Sequence, residues 1–90
     1  MRQHKNNRLS SAQIRAARAL LQWTANELSR QSAVSLRTIQ RAELAETFMT
    51  AANDLAVRHA LEAAGVQFID ENGGGPGVRL RQPAKSTANK

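Results

Sequence analysis

Arg37, Gln40 and Arg41 recur at i, i+3 and i+4, so a helix through them carries all three on one side. An arginine guanidinium matches the O6 and N7 acceptors of guanine with two parallel bonds, and a glutamine amide pairs likewise with N6 and N7 of adenine. A helix bearing these side chains presents chemistry suited to base edges in a DNA major groove. The alternative for such residues is a solvated basic face.

Other chemistries find little support. The chain has no cysteine, which removes disulfides, thiolate metal sites and cysteine nucleophiles. His4 and His59 have no metal-ligating neighbours in sequence, so neither a metal nor another cofactor is expected. No serine, histidine and acid are arranged for nucleophilic catalysis, and no glycine-rich loop ends in Gly-Lys-Ser/Thr. The glycines from Gly73 to Gly77 read as a flexible turn, and an enzyme is not expected.

The distribution of charge agrees with a polyanionic partner. Residues 1–41 hold eight Lys/Arg against one acid, Glu27, whereas residues 42–90 hold five basic and six acidic groups. The net +6 therefore belongs to the half that contains Arg37 and Arg41, and nucleic acid is the commonest partner for such a surface. No apolar run is long enough for a membrane span or a signal-peptide core, so a soluble cytoplasmic protein is expected, with no small-molecule effector evident.

Ninety residues allow one domain, and its core must be built mainly from Leu, Ile, Val and Ala, because only Trp23, Phe48 and Phe68 are aromatic. Residues 1–9 are polar and basic and read as a disordered arm. Ser10 or Ser11 caps a first helix to about Gln22, with Ile14, Ala17 and Leu21 facing inward. Thr24 caps a second helix, with Glu27 at capping-box spacing, which runs to about Ser32 and buries Leu28. Ser32-Ala33 is a turn, Val34 an apolar anchor, and Ser35 the cap of a third helix from Leu36 to about Ala45 that buries Ile39 and Ala42. Thr50 caps a fourth, with Val57, Ala60, Leu61 and Ala64 inward and Gly65 ending it. From Val66 the pattern changes to VQFID and VRLR, separated by ENGGGPG, which reads as a β-hairpin. Alternation sets Val66, Phe68, Val78 and Leu80 on one face and Gln67, Ile69, Arg79 and Arg81 on the other. The tail from Gln82 reads as disordered.

Residues 12–64 resemble the Cro/repressor-type, or XRE-family, helix-turn-helix regulators. The likeness rests on the RAARALLQWT segment, Glu27-Leu28, the Ala33-Val34-Ser35 turn, Arg37-Thr38-Ile39, Arg41 and Glu43. ALEAAGVQFIDENGGGPGVRLR is similar to the C-terminal extension of short bacterial members. The resemblance implies a mainly α fold: a lambda-repressor-like bundle of about four helices over residues 10–65, then a two-stranded antiparallel hairpin over residues 66–81. It also implies a transcriptional regulator of double-stranded DNA, with repression by promoter occupancy as the first expectation. By this likeness Ser35, Leu36, Arg37, Gln40 and Arg41 lie near base edges or the adjoining backbone. Thr24, Asn26 and Thr38 lie near phosphates, as does Arg18, which also pairs with Glu43 to orient the third helix. Three departures stand out. Ala25 occupies a position where glutamine is common, Ser32-Ala33 replaces the usual turn glycine, and LAETFMTAAND replaces a glycine-rich loop.

A lone hairpin is marginal in water, so this one must pack on the helices or pair with a second copy. Val66, Phe68, Ile69, Val78 and Leu80 are the candidate dimer residues, because members of the family usually bind two half-sites as homodimers. The competing function is a protein-binding adaptor or antiactivator that uses the same fold or the hairpin edge.

Overall fold

The computed structural model describes residues 8–44 and 48–82. Its elements are α1 (Ser11–Leu21), α2 (Ala25–Ser32), α3 (Leu36–Leu44), α4 (Ala51–Ala63), β1 (Val66–Ile69) and β2 (Gly77–Leu80). The fold is mainly α, four helices followed by an antiparallel two-stranded hairpin, as the sequence predicts. None of the described helices is long and apolar enough to cross a membrane. The expectations for residues 1–7 and 83–90 lie outside the described residues, as does the last residue of the expected third helix, Ala45.

The helix boundaries follow from local chemistry. Ser10 caps α1 and completes a capping box: its hydroxyl accepts from the Gln13 N–H at 3.1 Å, and Gln13 Oε1 accepts from the Ser10 N–H at 3.0 Å. Thr24 and Thr50 each accept the N–H of the third residue of their helices. At Thr24 the expected box is only half used. The Glu27 carboxylate goes instead to Arg30 and to Gln31, the latter at 2.7 Å, because those partners stand one turn on along the same helix.

Leu28, Ile39, Val57, Leu61, Ile14, Ala17 and Val66 are essentially sealed from solvent at the centre of the bundle. Trp23 packs against that cluster, and His59 is exposed. Ala64, expected on the inner face of α4, is exposed, because the helix has already ended and the chain turns at Gly65 with φ +113°. That angle is the left-handed region, where glycine carries no Cβ penalty.

Leu9 corrects the expected arm. It is 1 % exposed, and its N–H donates to Asp54 Oδ1 at 2.7 Å. Leu9 is therefore fixed ahead of α1, inserted into the core, with a buried carboxylate of α4 accepting the hydrogen bond of its backbone N–H.

The hairpin packs back on the bundle. Val66 pairs with Leu80 and Phe68 with Val78, which puts all four on one face as the alternation predicts. That face lies against α1 and α4, with Val66 fully buried and Phe68, Val78 and Leu80 packed on the core. Four of the five residues expected to pair two copies are thus engaged within one chain, and Ile69 remains on the outer face, 37 % exposed. Gln13 Nε2 donates to the Gly77 carbonyl at 3.2 Å, and the Arg81 N–H to the Gly65 carbonyl at 2.7 Å, so one end of β2 is tied to α1 and the other to the turn after α4.

The turn between α2 and α3 reveals how the chain manages without glycine. Ala33 takes φ 63° and ψ 19°, a left-handed conformation disfavoured for a residue with a Cβ. Two serines hold it: Ser29 Oγ donates to the Val34 carbonyl at 2.7 Å, and Ser32 Oγ donates to the Leu28 carbonyl at 2.7 Å while accepting the Val34 N–H at 3.2 Å. Ala33→Gly should raise stability by about 0.5–1 kcal/mol, since relief of the Cβ clash outweighs the added freedom of the unfolded chain. Urea denaturation measures this, and a lower midpoint would contradict the account of the turn.

A candidate nucleic-acid interface on the third helix

α3 is held by its buried side. Ile39, Ala42 and Glu43 face inward, while Arg37, Gln40, Arg41 and Leu44 lie exposed along the outside. Their spacing, i, i+3, i+4 and i+7, makes one continuous stripe. Among the described residues, Arg37, Gln40 and Arg41 have no side-chain hydrogen bond or ion pair, so their donors point to solvent. Glu43 is the only acid of α3, and it is 6 % exposed. The outer face is thus polar and basic, with Leu44, 82 % exposed, as its apolar end.

The carboxylate of Glu43 fixes α3 in place. It accepts from Arg18 Nε and Nη2, both at 2.8 Å, a bidentate fork from α1. Arg18 Nη1 donates to the Trp23 carbonyl at 2.9 Å, so one guanidinium ties α1, the α1–α2 connection and α3 together. Each of its three nitrogens donates to a protein acceptor, so Arg18 is a positioning residue, with one further N–H left on each of Nη1 and Nη2. The hydrogen bond to Glu43, first, and its charge raise the Arg18 pKa above its ordinary value, outweighing the opposing effect of burial. Raised in the fold, that pKa contributes stability at all pH values below the ordinary arginine range, and loses it only above that range. Arg15 Nη1 adds a bond to the Glu43 carbonyl at 2.6 Å, placing a cation at the C-terminal end of α3, where the helix dipole favours it.

The N-terminal end of α3 is capped from within. Ser35 Oγ accepts the Thr38 N–H at 3.1 Å and donates to Thr38 Oγ1 at 2.9 Å. Ser35 is exposed, and Leu36 and Thr38 are half-buried. Ser35 and Thr38, expected to contact different parts of a ligand, therefore form one hydroxyl pair. Thr38 and Arg41 also line a shallow groove with Phe48, Met49, Thr50 and Asn53, so the start of α4 lies beside the outer stripe of α3. Thr24 and Asn26 are exposed at the N-terminus of α2.

Thr24 caps α2, and one substitution tests both that cap and the phosphate contact expected of it. Thr24→Ala should cost about 1 kcal/mol of stability through the lost cap. With the expected phosphate contact, it should also weaken binding to all DNA sequences equally, since a phosphate contact carries no base information. A selective loss for one sequence would reassign the residue to base recognition.

Arg15, which bonds the end of α3, was not expected to, and neither were Asp54, Leu9 and Gln13, which tie the start of α1 to α4 and β2. One signal was present: Asp54 falls three and seven residues before Val57 and Leu61, a polar residue in an apolar stripe, which requires a partner once buried. Among the described residues no group of three His, Cys, Asp or Glu is placed to hold a metal ion. Compared with protein-family models and with curated proteins, the chain matches none.

Proposed function

We propose that this chain is a sequence-specific DNA-binding transcriptional regulator of the helix-turn-helix type, acting in the cytoplasm as a homodimer that represses by occupying a promoter. The observation that carries the reading is the exposed stripe of Arg37, Gln40 and Arg41 on a helix whose only acid is buried beneath it. Three planar, multi-donor side chains at helical spacing, without partners among the described residues, suit base edges better than they suit a protein surface. The basic N-terminal half supplies the sequence-independent attraction to phosphate, and the fork between Arg18 and Glu43 holds the reading helix at a fixed angle.

The test is fluorescence anisotropy with duplex DNA flanking the protein's own gene, near physiological salt, against random duplex as competitor. Retention of the labelled duplex under a large excess of competitor is the expected result. Loss of binding to the competitor would reject sequence-specific recognition and direct attention to a protein-binding role for the same fold.

A further inference from the structure

The two strands of the hairpin are joined by residues 70–76, every one of which is exposed. Within that connection Asn72 precedes Gly73, and an asparagine amide followed by glycine can react with its own backbone. We propose that Asn72 is a site of spontaneous modification: the Gly73 nitrogen closes on the Asn72 side chain, and the chain passes through a succinimide to an isoaspartyl form. The reaction needs neither DNA nor a partner chain, so it stands apart from the regulator reading.

Among the described residues, neither the Asn72 side-chain amide nor the Gly73 N–H has a hydrogen-bond partner. The bond from the Asn72 N–H to the Gly74 carbonyl, at 3.3 Å, is long and leaves the Gly73 nitrogen unengaged. Gly73 takes φ +85°, and nothing lies within 4 Å of where a Cβ on it would stand. The attacking nitrogen is therefore neither held by an acceptor nor shielded by a side chain, and Gly73-Gly74-Gly75 gives the backbone the freedom to bring it onto Asn72 Cγ. The other two asparagines among the described residues lack this freedom. Asn26 precedes Glu27, whose N–H donates to Thr24 Oγ1 at 3.0 Å, and Asn53 precedes Asp54, whose N–H donates to the Thr50 carbonyl at 2.8 Å. Both nitrogens are fixed in the first turn of a helix, so ring closure there would break a bond that starts the helix.

Water is the only co-reactant. Solvent base takes the Gly73 amide proton, the nitrogen forms a bond to Asn72 Cγ, and the Cγ–Nδ2 bond breaks to release ammonia. Water then opens the ring at either carbonyl. Attack at Cγ leaves an ordinary aspartate. Attack at the main-chain carbonyl carbon leaves an isoaspartate, whose backbone runs through Cβ and Cγ and whose α-carboxylate is free. Either product lowers the net charge of +6 by one and sets a third carboxylate beside Asp70 and Glu71. The isoaspartyl form also lengthens the backbone by one methylene. That extra length falls outside the paired strands, which end at Ile69 and Gly77, so Val66, Phe68, Val78 and Leu80 stay packed on the helices.

The test is incubation of the full chain in mildly alkaline buffer, then trypsin digestion and mass spectrometry, against a portion digested at the start. Cleavage at arginine puts Asn26, Asn53 and Asn72 on separate peptides, residues 19–30, 42–58 and 59–79. The peptide of residues 59–79 should gain the mass of an amide turned into an acid. Part of it should also accept a labelled methyl group from S-adenosylmethionine through an isoaspartyl carboxyl methyltransferase. The other two peptides should stay unchanged. Asn72→Gln should remove both signals and Gly73→Ala should slow them severalfold, with circular dichroism matching the wild type because the connection is exposed. An unmodified peptide 59–79 would overturn the proposal, as would equal conversion of all three asparagines or Gly73→Ala reacting as fast as the wild type. A product without isoaspartate would overturn it too, since that outcome means direct hydrolysis of the side chain.

Discussion

Glu43→Ala should destabilise the protein by about 3 kcal/mol, the lower end of what removal of one member of a buried ion pair costs. The carboxylate is 6 % exposed and accepts two bonds of 2.8 Å, so its loss leaves the guanidinium of Arg18 largely enclosed without a counter-charge. It also leaves a void beneath the C-terminal half of α3. For a domain of this size that is a large share of total stability. Urea denaturation of the variant gives the number directly. Arg18→Ala and the double variant complete a cycle, and the coupling should be strong, with the double variant no worse than the more damaging single one. A loss below about 1 kcal/mol for Glu43→Ala would mean that the fork behaves like an exposed surface pair and does not hold α3.

Arg41→Ala should leave stability nearly unchanged and reduce specific DNA binding by about 1–3 kcal/mol, with relaxed preference at one base pair. The side chain is exposed and has no partner among the described residues, so its removal disturbs little within the fold. The expected loss lies in the bidentate bond to a guanine edge. Competition between the best site and single-base variants of it distinguishes this from a phosphate contact, which would weaken every sequence alike. Unchanged specific binding would remove Arg41 from the reading face and shift the assignment toward Arg37 and Gln40.

The helices were legible because their signals are local. Ser10, Thr24 and Thr50 sit one residue before regular apolar spacing, and each becomes the cap that this position implies. The fork between Arg18 and Glu43 followed from the family likeness and not from spacing, since nothing in a linear chain sets residues 25 apart side by side. The hairpin was half legible. Alternation defined the apolar face of Val66, Phe68, Val78 and Leu80, but a pattern of period two does not say whether that face meets a helix or another chain. Leu9 was missed because one apolar residue after a polar run has no periodicity, and its anchor, Asp54, lies 45 residues away. The turn at Ala33 was placed correctly, but the serine hydroxyls that hold it were not foreseen, because serine reads equally well as a loop residue or a cap.

The bond from Gln13 to Gly77 spans 64 residues, and that from Leu9 to Asp54 spans 45. Both attach the start of the first helix to segments made much later on the ribosome. α3 thus precedes in sequence the strand that secures its scaffold. A chain stopped ahead of Gly77 would keep α3 and the bond from Leu9 to Asp54 but lose the closure from Gln13 to Gly77 and the packing of the second strand. Chains truncated before the second strand should therefore be less stable and more readily cleaved by proteases than the full chain.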